Sequence, residues 1–338
     1  MASLSNLRSL ITQFWPPRPT FTDADIPRSS QAGRVFMVTG GNAGIGYELC
    51  RILLGTGATV YMATRSKERA EASIHSIRAS YAESDVMTAQ IKFLHLDLSD
   101  LSSVRDAARH FAQEESKLDV LWNNAGIGAN AVEYGVRTAQ DLELFMGVHC
   151  VGALLLAELL LPQVRSATST KLPSRVVWLT SILVDTSAPR DGVNFAVLET
   201  GTRSQMTNYA ASKASAWMLG REFGRRHAPD GILSIVMNPG NVDAGSFRGT
   251  PRFAMFMMRM LWLRKPVFGA YTELFAGLSP EVTRDTSGKY IFPWGRLIPD
   301  SSIVRQDVLK AAESEELGGL GYGKKLWEWC ETNWKLAE

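Results

Sequence analysis

Val35-Phe36-Met37-Val38-Thr39-Gly40-Gly41-Asn42-Ala43-Gly44-Ile45-Gly46 is the stretch that decides how the rest of this chain is read. Four apolar residues lead into a turn holding four glycines, and the turn runs directly into a segment of helical spacing from Tyr47 to Leu54. Glycines permit the tight turn and let the backbone approach a pyrophosphate, whose charge is met by unpaired amides at the helix N-terminus. Such a loop alone can be no more than a tight turn. Here the strand before it and the helix after it stand where the mechanism needs them, so Gly40, Asn42, Gly44, Ile45 and Gly46 become candidate phosphate contacts.

Working outward, the same pattern of short apolar run, polar or glycine turn and helical segment recurs. The further runs begin at Ala58, Ile91, Val120, Val176, Ile232 and Tyr290. Near-continuous apolar strands alternating with helices are buried on both faces, which predicts one doubly wound α/β domain of about seven parallel strands with helices on both faces. There is no internal repeat and no second glycine-rich strand-turn-helix. Residues 1–32, with Trp15-Pro16-Pro17-Arg18-Pro19, read as an N-terminal arm with a short amphipathic helix over Leu4 to Phe14, and residues 33–338 as the domain.

The composition narrows the function. At 338 residues, 45% hydrophobic and 21% charged, the chain can bury a large core. Thirty-six Lys and Arg against 34 Asp and Glu leave +2, no electrostatic footprint for nucleic acid. The isolated Cys50, Cys150 and Cys330 encode neither a disulfide framework nor a zinc cluster, and the other histidines show no ligand spacing. No run approaches a spanning length and no cleavable signal pattern opens the chain, so the expected location is cytoplasmic, with peripheral membrane contact left open.

Arg65 stands at the end of the second strand, 19 positions past Gly46, where an NAD binder would place an acid. An arginine there can pair with a ribose 2′-phosphate, which favours NADP(H); the alternative is a solvated strand-end residue. The third strand runs into Asp97-Leu98, where the carboxylate either accepts from an adenine amino group or caps a helix starting near Ser99. Downstream, Tyr209 and Lys213 lie four apart on one helix face, a spacing in which an ammonium favours a phenolate. Ser181, just after a strand, offers a hydroxyl to a substrate oxygen.

Together, Thr39 to Gly46, Asp97, Asn123-Asn124-Ala125-Gly126, Ser181, Tyr209 with Lys213, and Asn238-Pro239-Gly240 resemble the short-chain dehydrogenase/reductase family, in the family's order and over nearly the whole chain from Gly33. Pro17 to Phe21, Tyr290 to Gly295 and Lys325 to Trp329 look like a fungal branch related to retinol-dehydrogenase-like reductases. The resemblance implies a Rossmann-like domain in which Tyr209 protonates a carbonyl oxygen, Ser181 orients it, and Lys213 binds the nicotinamide ribose and lowers the tyrosine pKa. It further implies that Asn123, Ala125 and Gly126 line the adenosine ribose side, and that Pro239, Gly240 and Val242 shape the nicotinamide pocket. Two positions depart from the pattern. His149 stands where the family usually has an asparagine that helps hold a relay water, so it is read as either a relay residue or an accommodated core histidine. Ala244 replaces a threonine that steadies the carboxamide, with Ser246 as a nearby substitute.

The methionine-rich run Phe253 to Leu263 lies in the segment near 245–275 where the family carries a substrate cover. It reads as an apolar lid, a membrane contact flanked by Arg259, Arg264 and Lys265, a core helix, or a homodimer contact. The 27 residues between Ser181 and Tyr209 read as an insertion at the substrate mouth. The resulting expectation is an NADP(H)-dependent ketone reductase or alcohol dehydrogenase acting on an apolar small molecule, in secondary metabolism if the fungal likeness holds. The alternative is an enzyme that retains the cofactor for isomerisation, dehydration or cyclisation.

Overall fold

Apolar runs buried on both faces need hydrogen-bonded neighbours, and all seven join one sheet, β3 at its edge and the other six with a neighbour on each side. The computed structural model describes residues 4–337 except 83, 85, 87, 88 and 246–248. Its strands are β1 (Val35–Thr39), β2 (Thr59–Thr64), β3 (Gln90–His95), β4 (Val120–Asn123), β5 (Arg175–Leu179), β6 (Leu233–Met237), β7 (Tyr290–Phe292) and β8 (Arg296–Leu297). They form one sheet in the order β3-β2-β1-β4-β5-β6-β7-β8. The first seven are parallel; β8 is antiparallel to β7, with Ile291 opposite Leu297. This eighth strand was not expected, because two residues carry no periodicity. It is made by the turn through Trp294 and Gly295, both at positive φ.

Helices cover both faces. They are α1 (Leu4–Phe14), α2 (Gly44–Gly55), α3 (Lys67–Ala79), α4 (Leu101–Glu114), α5 (Leu144–Met146), α6 (Ala153–Leu159), α7 (Leu161–Ala167), α8 (Leu183–Ser187), α9 (Gln205–His227), α10 (Arg252–Leu261), α11 (Pro266–Leu278), α12 (Gln306–Ala312) and α13 (Tyr322–Leu336). A π-helical turn, Gly147–Gly152, joins α5 to α6. One core layer packs α2, α3 and α11 against the sheet, and the other packs α4 to α7, α9, α12 and α13. Close approach is built in. Trp122 on β4 donates its indole N–H to the Glu273 carbonyl at 2.9 Å, and Gly277 one turn on leaves no space for a Cβ beside that ring. Among the described residues no single helix is long and apolar enough to cross a membrane; the pair Leu144–Leu159 and Leu161–Ala167 is apolar but bent by 57°.

The N-terminal segment lies against the domain. Ser9 donates to the Ser302 carbonyl at 2.7 Å, Gln13 is fully buried, and Arg296 donates to the carbonyls of Pro17 and Arg18. Strand order reverses between β1 and β4, so a crevice opens at their carboxyl ends, and in open α/β sheets that is where ligands bind.

Candidate active site

The glycine turn is set by what stands behind it. Thr39 Oγ1 donates to the Trp122 carbonyl (3.2 Å) and accepts from Ala125 N–H (2.9 Å), while Asn124 donates its amide to the Thr39 carbonyl (2.7 Å). Gly40 sits at φ +69° over Ala125, and Gly44 at φ +58° against the Ala244 methyl. A Cβ on Gly46 would lie 2.5 Å from the Asn124 amide nitrogen and 2.7 Å from the Gly40 carbonyl, so only glycine fits. Ala43, at the N-cap of α2, supplies no side-chain cap, leaving the first amides of α2 at Gly44, Ile45 and Gly46 available to an anion. The residues present therefore fit a dinucleotide pyrophosphate.

The flanking candidates divide. Asn42 Oδ1 accepts from Thr64 Oγ1 (2.9 Å), pinning the turn to the end of β2, where Arg65 is exposed. Asn123, at the end of β4, is buried with both amide atoms unpartnered, and such a group points to a polar ligand. Asp97 Oδ1 accepts from the N–H (2.9 Å) and hydroxyl (2.6 Å) of Ser99, closing a local turn. The cap of α4 is Asp100, not Asp97, and the helix starts at Leu101 rather than near Ser99. Leu98 is buried beside Gly152, whose missing Cβ lets the π-turn approach the Leu98 carbonyl. Gly126 is not at the adenosine end expected for it: a Cβ there would meet His149 Nε2 at 3.2 Å and Lys213 Nζ at 3.3 Å, so it lies at the inner end of the crevice.

The chemistry-bearing residues meet at that inner end. Ser181 follows β5, accepts from the Leu183 N–H at 3.2 Å, and its hydroxyl lies on the Tyr209 side close enough to lower the phenol's pKa. Lys213, one turn along α9, donates to the Leu179 carbonyl at 3.2 Å, with its ammonium 5.8 Å from the Tyr209 ring centre. Burial pushes the Tyr209 pKa up, opposed by the neighbouring Ser181 hydroxyl. Burial likewise draws the Lys213 ammonium down to about 8.

His149 lies on the π-turn and is braced on both nitrogens. Its Nε2 faces the Ile127 N–H at 3.0 Å and its Nδ1 faces the Ser212 hydroxyl at 2.8 Å. Ser212 in turn donates to the Tyr209 carbonyl at 2.8 Å. An N–H arriving at Nε2 requires a lone pair there, so the proton sits on Nδ1 and the ring is neutral. Burial first, and then Lys213, hold its pKa well below the ordinary imidazole range. Both ring nitrogens thus have partners within the protein, as the reading of His149 as an accommodated core histidine expects.

On the far side, Gly240 adopts φ +84° and donates to Asn238 Oδ1 at 3.0 Å, shaping the turn after Pro239. Val242 is buried and bridges to Arg264. Ser246 lies outside the described residues. The insertion after Ser181 is tied to α9 by Asn208, which accepts from Thr202 N–H (2.8 Å) and donates to its carbonyl (2.7 Å). A solvent-open pocket of about 460 Å³ lies between them, and Ser181, Tyr209 and Lys213 are not among its walls.

Comparisons with known proteins identify the family and the fold. The family pattern of the short chain dehydrogenases matches residues 34–189. The short-chain dehydrogenase/reductase iacJ of the fungus Pestalotiopsis fici is 44% identical over 98% of this chain and 99% of its own length. This chain belongs to the short-chain dehydrogenase/reductase family. Among solved structures, an uncharacterised Mycobacterium paratuberculosis protein is 28% identical with a TM-score of 0.60, covering 87% of this chain and 96% of that one. The Pseudomonas aeruginosa RhlG/NADP active-site complex, 24% identical, has the same fold, with a TM-score of 0.59 over 78% of this chain and 96% of that one.

One part of this dehydrogenase/reductase site left no signal in the sequence. Gln13 of α1 donates to Asp185 Oδ2 (2.7 Å) and accepts from the Asn238 amide (2.9 Å), linking the segment after Ser181 to the turn before Gly240. Desolvation raises the Asp185 pKa to about 6, against the Gln13 hydrogen bond and Arg305. A raised carboxylate pKa means the folded state binds the proton more tightly than the unfolded one, so stability falls as pH rises from about 4 through about 6 and stays lowered above. Asp185→Asn is therefore expected to gain about 1–3 kcal/mol at pH 7.5 and almost nothing at pH 4, in denaturant melts at the two values. A loss at pH 7.5 that shrinks at pH 4 would instead show the carboxylate to be needed in its charged form.

Proposed function

We propose that this enzyme is an NADP(H)-dependent ketone reductase, or the reverse alcohol dehydrogenase, acting on an apolar small molecule in fungal secondary metabolism. The observation that carries the reading is the convergence of Ser181 and Tyr209, with the Lys213 ammonium 5.8 Å from the Tyr209 ring, at the inner end of a crevice whose outer end is the glycine turn. When bound, NADPH supplies the hydride to the carbonyl carbon. The amides of Gly44, Ile45 and Gly46 hold the pyrophosphate, and Arg65 pairs with the 2′-phosphate. Asp97, Leu98, Asn123 and Ala125 border the adenosine, while Pro239, Gly240 and Val242 border the nicotinamide.

Ser181 orients the carbonyl oxygen, and Tyr209 gives it a proton. A phenol whose pKa is raised by burial carries its proton at neutral pH, which suits reduction. Lys213 binds the ribose hydroxyls beside Gly126. His149 acts as a neutral brace that fixes the Tyr209 helix against the turn after Gly126.

Three outcomes test this reading. Tyr209→Phe should lower kcat by roughly 10²-fold or more while leaving the NADPH Kd nearly unchanged, as read by loss of reduced-cofactor absorbance on a ketone panel and by nucleotide titration. Near-parental turnover would mean that another group is the acid. Arg65→Ala should weaken NADPH roughly 10- to 100-fold and leave NADH as it was, the loss of one charge-assisted contact; equal parental affinity for both nucleotides would remove the NADP assignment. His149→Asn should keep activity and leave the acid limb of the pH–rate profile between pH 6 and 8 unmoved, because the ring is neutral throughout. A limb that disappears in the variant would restore His149 as a titrating relay.

A further inference from the structure

We propose that the face formed by α1 and α10 docks the protein on an anionic lipid surface. Both helices turn an apolar stripe outward. On α10, Phe253 (76% exposed), Phe256 (58%), Met257 and Met260 (69%) recur at the spacing of one helix face, and no residue of this helix is buried. On α1, Leu7, Ile11 and Trp15 are each about half exposed, while Ser9 and Gln13 on the opposite face are buried in the body. The stripes adjoin, because the ends of the two helices meet. Trp15 donates its indole N–H to the Leu261 carbonyl at 3.3 Å, and Phe14 packs edge-on against Trp262 at 6.3 Å. Soluble surfaces rarely leave apolar groups contiguous on this scale without an occupant.

Charge selects the occupant. Residues 4–18 and 249–265 contain Arg8, Arg18, Arg252, Arg259, Arg264 and Lys265 and no Asp or Glu, and all six cations are exposed. Arg259 is paired with Asp243, and the other five are exposed with no ion pair among the described residues. A second copy meeting this face about a twofold axis would set cations against cations. An acyl layer beneath anionic headgroups takes both the aromatic and methionine side chains and the basic rim. The docked face adjoins the substrate end of the crevice, since Gln13 on the inner side of α1 contacts Asp185, four residues beyond Ser181.

The test is sedimentation of the full chain with vesicles of phosphatidylcholine containing 30% phosphatidylserine, compared with phosphatidylcholine alone, at near-physiological salt. The expected result is at least tenfold tighter binding to the anionic vesicles, reduced at high salt. The triple variant Phe253→Ser, Phe256→Ser, Met260→Ser and, separately, Arg252→Glu with Lys265→Glu should each abolish most of that binding with an unchanged thermal melt. Three results would overturn the proposal: no sedimentation with either vesicle, equal sedimentation with both, or a concentration-dependent dimer that the triple variant dissociates, which assigns the face to a second copy. Absence of vesicle binding together with a raised KM in the triple variant would likewise assign α10 to covering the substrate.

Discussion

Everything at the carboxyl edge of the sheet hangs on the three hydrogen bonds that join the end of β1 to the end of β4. Thr39 uses its hydroxyl in both directions and its carbonyl once, and Asn124 supplies the amide that completes the set. This clamp has a steric consequence. With the Asn124 amide occupying the space behind the turn, Gly40 and Gly46 have no room for a side chain, and the backbone of α2 is brought forward with its first amides uncapped. The phosphate cradle is thus what remains when a buried polar clamp has claimed the volume on the other side.

A second buried chain of polar groups does the same for the inner end. Ile127 N–H, His149, Ser212 and the Tyr209 carbonyl form a continuous path in which each donor meets one acceptor, and only a neutral ring closes it. A charged imidazole would lose its Nε2 lone pair and stand beside the Lys213 ammonium, two penalties in a fully buried site. An asparagine also offers one acceptor and one donor, so the departure from the family pattern conserves hydrogen-bonding capacity while changing shape. His149 is carried on the π-turn Gly147–Gly152, where the backbone departs from the regular helix.

How much of this was legible in the sequence follows from the range of each interaction. The seven parallel strands, the glycine turn and the Tyr209–Lys213 face are all local patterns, readable from period and spacing, and the structure has each of them. What was missed depends on partners far along the chain. Gln13 is one polar residue within the N-terminal arm, and its partners lie 172 and 225 positions away. Gly126 sits in a recognisable motif, but its place beside Lys213 is decided by how α9 crosses the sheet. Spacing shows that a lysine is near Tyr209 and not which way its ammonium points; here the Leu179 carbonyl accepts from it.

Gln13 also governs what α1 shows to solvent. A buried amide must have its donors and acceptor met, and here Asp185 and Asn238 meet one of each. That requirement fixes the rotation of α1 about its axis, with Ser9, one turn earlier, facing the same way and bonded to Ser302. At 100° per residue, Leu7, Ile11 and Trp15 are then carried to the outer side. Turning those three inward would bury apolar surface but strand an amide and leave the Asp185 carboxylate without its donor. The outward apolar stripe therefore follows from satisfying polar groups within, and the helix that braces the turn before Gly240 is held by the same bonds that expose its other face.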